Sequence, residues 1–183
     1  MIKTLILLAD RFEIIEAMAP IDVFRRAGFE AKTVSITGDE YIKSSNGTFV
    51  KADICFDDAD FENADLLYLP GGYPGYENLC KSQKTGQVVK NHYSKGKLTA
   101  LICGAPTVLK TYDIAAGKKI TSHSCCKQEL LQNYIHTDAD IEHDGNLYTC
   151  IGAGHSIDFA LTLTLALSDK QTLDKVKKGM ELK

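Results

Sequence analysis

The stretch LICGAPTVLK (residues 101–110) places a cysteine where an apolar segment gives way to small residues and a proline. A nucleophile at a strand-to-helix elbow sits in a tight, often strained turn, and small neighbours let the backbone fold back and admit a substrate. Gly104 and Ala105 meet that need, and Pro106 suits a first helical turn because it has no N–H to leave unpaired. A helix starting there favours thiolate, which raises the reactive fraction of Cys103 at neutral pH. The Gly104 amide would point to where an oxyanion forms. The same residues also fit a structural cysteine buried at a strand end.

Pro70-Gly71-Gly72 could supply a second oxyanion-hole amide, since glycine lets backbone approach a ligand closely; it could equally be a plain turn. Glu16 stands among Ile14, Ile15, Ala17 and Met18. Buried there, its charged form would be disfavoured and it could hold a proton near neutral pH. The alternative is an ordinary solvent-facing helical glutamate. Two histidines compete as proton carriers. His123 in KKITSHSCC follows the elbow in a Cys-then-His order, and His155 in GAGHSIDFA has Asp158 a helical turn later. Spacing does not choose between them.

The elements that must hold these groups alternate. Residues 2–8 are a continuous apolar run, the mark of a strand covered on both faces. Residues 13–27 carry helical periodicity ended by Gly28, and 29–36 form a second strand. Residues 41–55 turn at Asn46-Gly47 as a hairpin. Strands are expected at 65–69, 98–102 and 119–121, and helices at 85–94, 106–112 and 125–133. Residues 141–150 form another hairpin, and an apolar helix at 157–167 precedes a polar one. Such alternation builds a parallel sheet with helices on both faces, where ligands bind beyond the C-terminal strand ends. Gly72, Cys103 and Gly152–His155 all fall at such ends.

One domain spanning 1–183 accounts for this length, and 44% hydrophobic residues suffice for a substantial core. A net charge of −3 without a basic run argues against nucleic acid or acidic membranes as partners. No apolar run is long enough to cross a bilayer and no signal-peptide pattern follows the N-terminus, so a cytoplasmic location is expected. Six cysteines without a CxxC are expected to be free thiols in a reducing compartment. Five histidines without HExxH or paired Cys-His spacing argue against a metal.

Taken together, EAMAPIDVFRRAGFE (16–30), DLLYLPGGYPGYENL (65–79), ALICGAPTVL (100–109), KITSHS (119–124) and FALTLTLAL (159–167) resemble the ThiJ/PfpI superfamily, in its branch of parkinsonism-associated protein deglycases. The resemblance implies a flavodoxin-like three-layer α/β sandwich with a mostly parallel central sheet, usually homodimeric. It aligns Cys103 with the family's nucleophilic, oxidation-sensitive cysteine and Glu16 with the acid that hydrogen-bonds it. It aligns His123, rather than His155, with the nearby histidine, and Gly72 and Gly104 with the oxyanion-hole amides. It implies a cofactor-independent enzyme of the glyoxalase III or protein deglycase type, with small aldehydes or glycated protein side chains as partners. The alternatives are an oxidative-stress sensor or chaperone whose Cys103 becomes a sulfinic acid, and a cysteine peptidase or amidase. That last group has His directly after Cys, where this chain has Gly104. In the sensor reading Cys103 oxidises without forming a disulfide, because no resolving CxxC partner is visible.

Three departures stand out. The elbow reads Cys-Gly-Ala-Pro where the branch shows Cys-Ala-Gly-Pro or Cys-Ala-Ala-Pro, so Gly104 is expected to relax strain at the nucleophile. The late loop has Ile151 and His155 in place of an arginine and a threonine. A hairpin arginine is missing, with Asn46 nearby. The sequence assigns no role to Cys125 and Cys126.

Overall fold

The computed structural model describes residues 1–183. Lys3–Leu8 forms β1, and every residue from Thr4 onward is buried, as a run with no polar face requires. The chain continues through α1 (Ile14–Arg26), β2 (Glu30–Ser35), β3 (Tyr41–Lys43), β4 (Phe49–Lys51), β5 (Ile54–Cys55) and β6 (Leu66–Leu69). Helices α2 (Gly75–Lys81) and α3 (Gln83–Ser94) lead to β7 (Leu98–Ile102) and the short α4 (Thr107–Thr111). Then come β8 (Lys119–Ile120), α5 (Ser124–Leu130), β9 (Ile135–His136), β10 (Ile141–Asp144), β11 (Leu147–Cys150), α6 (Ser156–Leu167) and α7 (Lys170–Gly179).

The central sheet has seven strands in the order β10-β11-β7-β6-β1-β2-β5. All neighbours are parallel except β10 against β11. Side chains alternate across each strand, which divides the core in two. Ile6, Leu8 and Tyr68 join α1 and α6 residues such as Phe24 and Phe159 on one face. Leu5, Leu7, Leu67 and Leu69 join Leu79, Val89, Leu109 and Leu130 from α2 to α5 on the other. This is the expected three-layer α/β sandwich. β1, β6, β7 and β11 all point the same way, so the segments after Leu8, Leu69, Ile102 and Cys150 meet at one edge.

Most expected elements lie within a residue or two of their observed limits, and three differences matter. Helix α2 was not expected, because GGYPG reads locally as a turn. Its first residue, Gly75, is instead a close-approach glycine, since a Cβ there would lie 2.5 Å from the Arg11 carbonyl oxygen. Helix α3 starts two residues before the expected Thr85, capped by the Ser82 hydroxyl, which accepts from the Thr85 N–H. Helix α4 is shorter than the expected 106–112, and residues 103–106 form turns in which Ala105 N–H donates to the Ile102 carbonyl.

Candidate active site

Cys103 occupies the turn after β7 with φ +63°, in the left-handed region that non-glycine residues avoid. Such a conformation costs on the order of 1–3 kcal/mol and persists only where the surroundings over-determine it. Here they do. Cys103 N–H donates to the Cys150 carbonyl at 2.9 Å, and its own carbonyl accepts from His123 N–H at 2.9 Å. The ends of β11 and of the β8–α5 loop thus clamp both sides of the residue. Gly104 does not relax this strain as expected. Its missing side chain makes room instead for Tyr76, whose ring carbon Cδ1 lies 2.4 Å from where a Cβ would stand.

Glu16, in the first turn of α1, is fully buried while its neighbour Ile15 is 53% exposed. The burial decides between the two readings of this residue. Gly71 N–H donates to its Oε2 at 2.7 Å. Oε1 is buried without a partner in ordinary hydrogen-bond geometry. The Cys103 thiol interacts with this carboxyl and enters the titration of both groups. One proton shared between the carboxyl and the sulfur would satisfy the pair. Gly71 permits the close approach, since a Cβ would fall 2.9 Å from Cys103 Cβ and 3.0 Å from Glu16 Oε2. Gly72, at φ +92°, also needs its missing side chain, because a Cβ would sit 2.3 Å from Glu13 N.

Burial raises the Glu16 pKa from 4.5 to about 7, with the nearby Glu13 charge adding to it, against the Gly71 N–H and the thiol. Between those two values the folded chain keeps a proton that the unfolded chain has released. That contribution to stability is complete below about pH 4.5 and is lost as pH rises through about 7. Its size is on the order of 3 kcal/mol. Glu16→Gln has nothing to ionise, so urea unfolding should show wild type losing stability relative to the variant across this interval. Stability curves that stay parallel from acid to neutral pH would refute a buried, proton-holding Glu16.

The thiol corrects the expectation of a helix-stabilised thiolate. Burial pushes Cys103 up to about 12, followed by the charge of Glu16 when that group is ionised. α4 begins only at Thr107 and has five residues, so it has little dipole to offer a sulfur three residues upstream of its N-cap, Pro106. What draws the thiol down is the pair of backbone N–H groups of Gly72 and Gly104 that reach its sulfur. A proton on Glu16 removes the charge repulsion, while the hydrogen bond between the two side chains still raises the thiol. The groups that favour thiolate are therefore the two amides.

These groups line one pocket of about 320 Å³, with Glu16, Gly72, Cys103, Gly104 and His123 all on its wall. That volume suits a small molecule. The DJ-1/PfpI family model matches residues 2–166. The chain belongs to the DJ-1/PfpI family. The Parkinson disease protein 7 homolog of Danio rerio is 33% identical to it over 184 residues, covering 99% of this chain and 97% of that protein. The glutathione-independent glyoxalase DJR-1.2 of Caenorhabditis elegans is 26% identical over 169 residues, covering 92% of this chain and 89% of that one. The crystal structure of Drosophila melanogaster DJ-1beta matches with a TM-score of 0.96 at 33% identity, covering 100% of this chain and 98% of that one. The flavodoxin-like sandwich of the DJ-1/PfpI family is thus the fold of this chain.

Against this DJ-1/PfpI frame the two histidines separate. His123 reaches the pocket, but its Nδ1 lies 3.1 Å from the Cys125 sulfur and accepts the Cys125 N–H, capping α5. It makes no hydrogen bond to the Cys103 sulfur. His155 lies outside the pocket wall, with Nε2 3.7 Å from Asp140. The late loop contributes Ala153 instead. Sequence reasoning missed Glu13, Tyr73, Tyr76 and Cys125 as wall residues. Glu13 was within reach, since it precedes Glu16 by the three residues that bring side chains together on a helix. Tyr76 had no local signal at all. No three of the His, Cys, Asp and Glu side chains converge to hold a metal ion, and no helix is long and apolar enough to cross a membrane.

Proposed function

We infer that this chain is a cofactor-independent, cysteine-dependent enzyme acting on small reactive carbonyls, of the glyoxalase III type. The observation that carries the reading is a buried carboxyl titrating at about 7 beside a strained cysteine and two glycine amides in one small pocket. The similarity to the glutathione-independent glyoxalase DJR-1.2 of Caenorhabditis elegans supports it. In this reading the Cys103 sulfur adds to the aldehyde carbon of methylglyoxal. The Gly72 and Gly104 amides stabilise the oxyanion, and Glu16 gives it a proton to complete the hemithioacetal. The ionised Glu16 then takes the proton from that carbon and returns it to the adjacent one. The product is a thioester of a 2-hydroxy acid, which water hydrolyses to free Cys103 and lactate. His123 exchanges protons with solvent at the pocket wall.

The test is lactate formation from methylglyoxal by the reduced protein without glutathione. Turnover is expected. None from fully reduced protein would turn the assignment toward a redox sensor or chaperone, with Glu16 hydrogen-bonding an oxidised Cys103. Release of glycated side chains would be the same chemistry on a larger carbonyl adduct, and requires adduct loss faster than free aldehyde loss. Exposed Ile15, Tyr41 and Phe49 support pairing of two copies of the chain, which a sedimentation mass of one chain would exclude.

A further inference from the structure

The pocket holds a second thiol that the carbonyl chemistry does not use. Cys125 is exposed in the first turn of α5 and lines the same pocket as Cys103. The two segments are tied together, because His123 N–H donates to the Cys103 carbonyl two residues before Cys125. Cys125 also has a base. His123 Nδ1 accepts from the Cys125 N–H at 3.3 Å, so in the neutral ring this nitrogen carries the lone pair. The Cys125 sulfur is 3.1 Å from that same nitrogen. A thiol beside an imidazole lone pair, open to solvent, is the arrangement that makes cysteine react.

The nearest sulfur is Cys126, 3.6 Å away, yet it is a poor disulfide partner. Adjacent Cα atoms stand about 3.8 Å apart across a trans peptide, below the roughly 4.4–6.8 Å that a disulfide spans. Cys126 is also buried, with its thiol against the Tyr76 hydroxyl. Cys103, across the pocket, has no such constraint of adjacency.

We propose that peroxide converts Cys125 and Cys103 into a reversible disulfide across the pocket, with His123 as the proton carrier. The Cys125 sulfur attacks one oxygen of hydrogen peroxide and the O–O bond breaks. His123 takes the thiol proton and passes it to the departing oxygen, leaving Cys125 sulfenic acid and one water. The Cys103 sulfur then attacks Cys125 Sγ. The S–S bond forms, the S–O bond breaks, and the hydroxyl leaves as a second water with the proton from Cys103. The two thiols lose two electrons and the peroxide gains them. This differs from the expectation of a Cys103 sulfinic acid without a disulfide, which rested on nearby amide donors for the oxidised oxygens and on the lack of a CxxC. It also protects Cys103 from an irreversible step, because a thiol-reducing agent restores a disulfide and does not restore a sulfinic acid. The proposal is independent of the carbonyl reaction.

Trypsin separates the players, since Leu98–Lys110 carries Cys103 alone and Ile120–Lys127 carries Cys125 and Cys126. The reduced full-length protein is treated with equimolar hydrogen peroxide, blocked with iodoacetamide and digested. These two peptides should appear linked, and dithiothreitol should separate them. The link should persist in Cys126→Ser and vanish in Cys125→Ser, where Leu98–Lys110 should instead gain oxygen. His123→Ala should slow linking. Three results would overturn the proposal: a wild-type Cys103 sulfinic acid with no linked peptide, a link surviving Cys125→Ser, or a bridge confined to Ile120–Lys127.

Discussion

Cys103→Ser should abolish methylglyoxal conversion, by a factor of roughly 10⁴ or more, the scale on which a lost nucleophile acts where it works as a unit with its neighbours. Serine keeps nearly the same volume and the same clamp from Cys150 and His123, so the fold should survive. Its hydroxyl is far harder to ionise than a thiol, and Glu16 at about 7 is too weak a base to change that. The Gly72 and Gly104 amides would then face an oxygen that rarely bears charge. Lactate appearance under glutathione-free conditions reads the result directly. Activity within about tenfold of wild type would remove Cys103 from the chemistry, since general acid–base effects alone span more than that.

Glu16→Gln should be almost as damaging to turnover, by about 10²–10⁴, while leaving the thiol nearly as reactive toward iodoacetamide. Glutamine preserves a donor of similar shape near the sulfur but cannot carry a proton from one carbon to the next. Glu16→Leu should lose both the conversion and the donor. The pH profile adds a sign. Cys103 and Glu16 titrate as a pair, and the form able to react holds one proton between them. The first proton leaves near the Glu16 value of about 7, so wild-type kcat/KM should rise through that pH, and this rise should vanish in Glu16→Gln. A Glu16→Gln enzyme with wild-type turnover would leave Glu16 as a hydrogen-bond donor only, as the sensor alternative requires.

The sequence by itself determined the frame. The buried run of β1, the strand at Leu98–Ile102 and the apolar helix α6 follow from periodicity. That the small residues after Ile102 and Leu69 lie at C-terminal strand ends follows from the alternation of strands and helices. These are local properties, set by which side chains recur every two or about 3.6 residues. What the sequence left open depended on distances across the fold. Glu16 and Ile15 sit side by side in an apolar stretch, and only the placing of α1 beside the Gly71 amide, in the loop after β6, decided that the acid is buried and the isoleucine exposed. His123 and His155 were equal by spacing until the His123 amide was found on the Cys103 carbonyl. The local rule for a thiolate at a helix start failed because α4 begins late and burial dominates the titration. Tyr76 against Gly104 and Cys125 on the pocket of Cys103 had no sequence signal, because α2, α4 and α5 meet only after the sheet has placed them. Desolvation and close approach come from tertiary packing, and they decide here which acid keeps its proton and which thiols share a pocket.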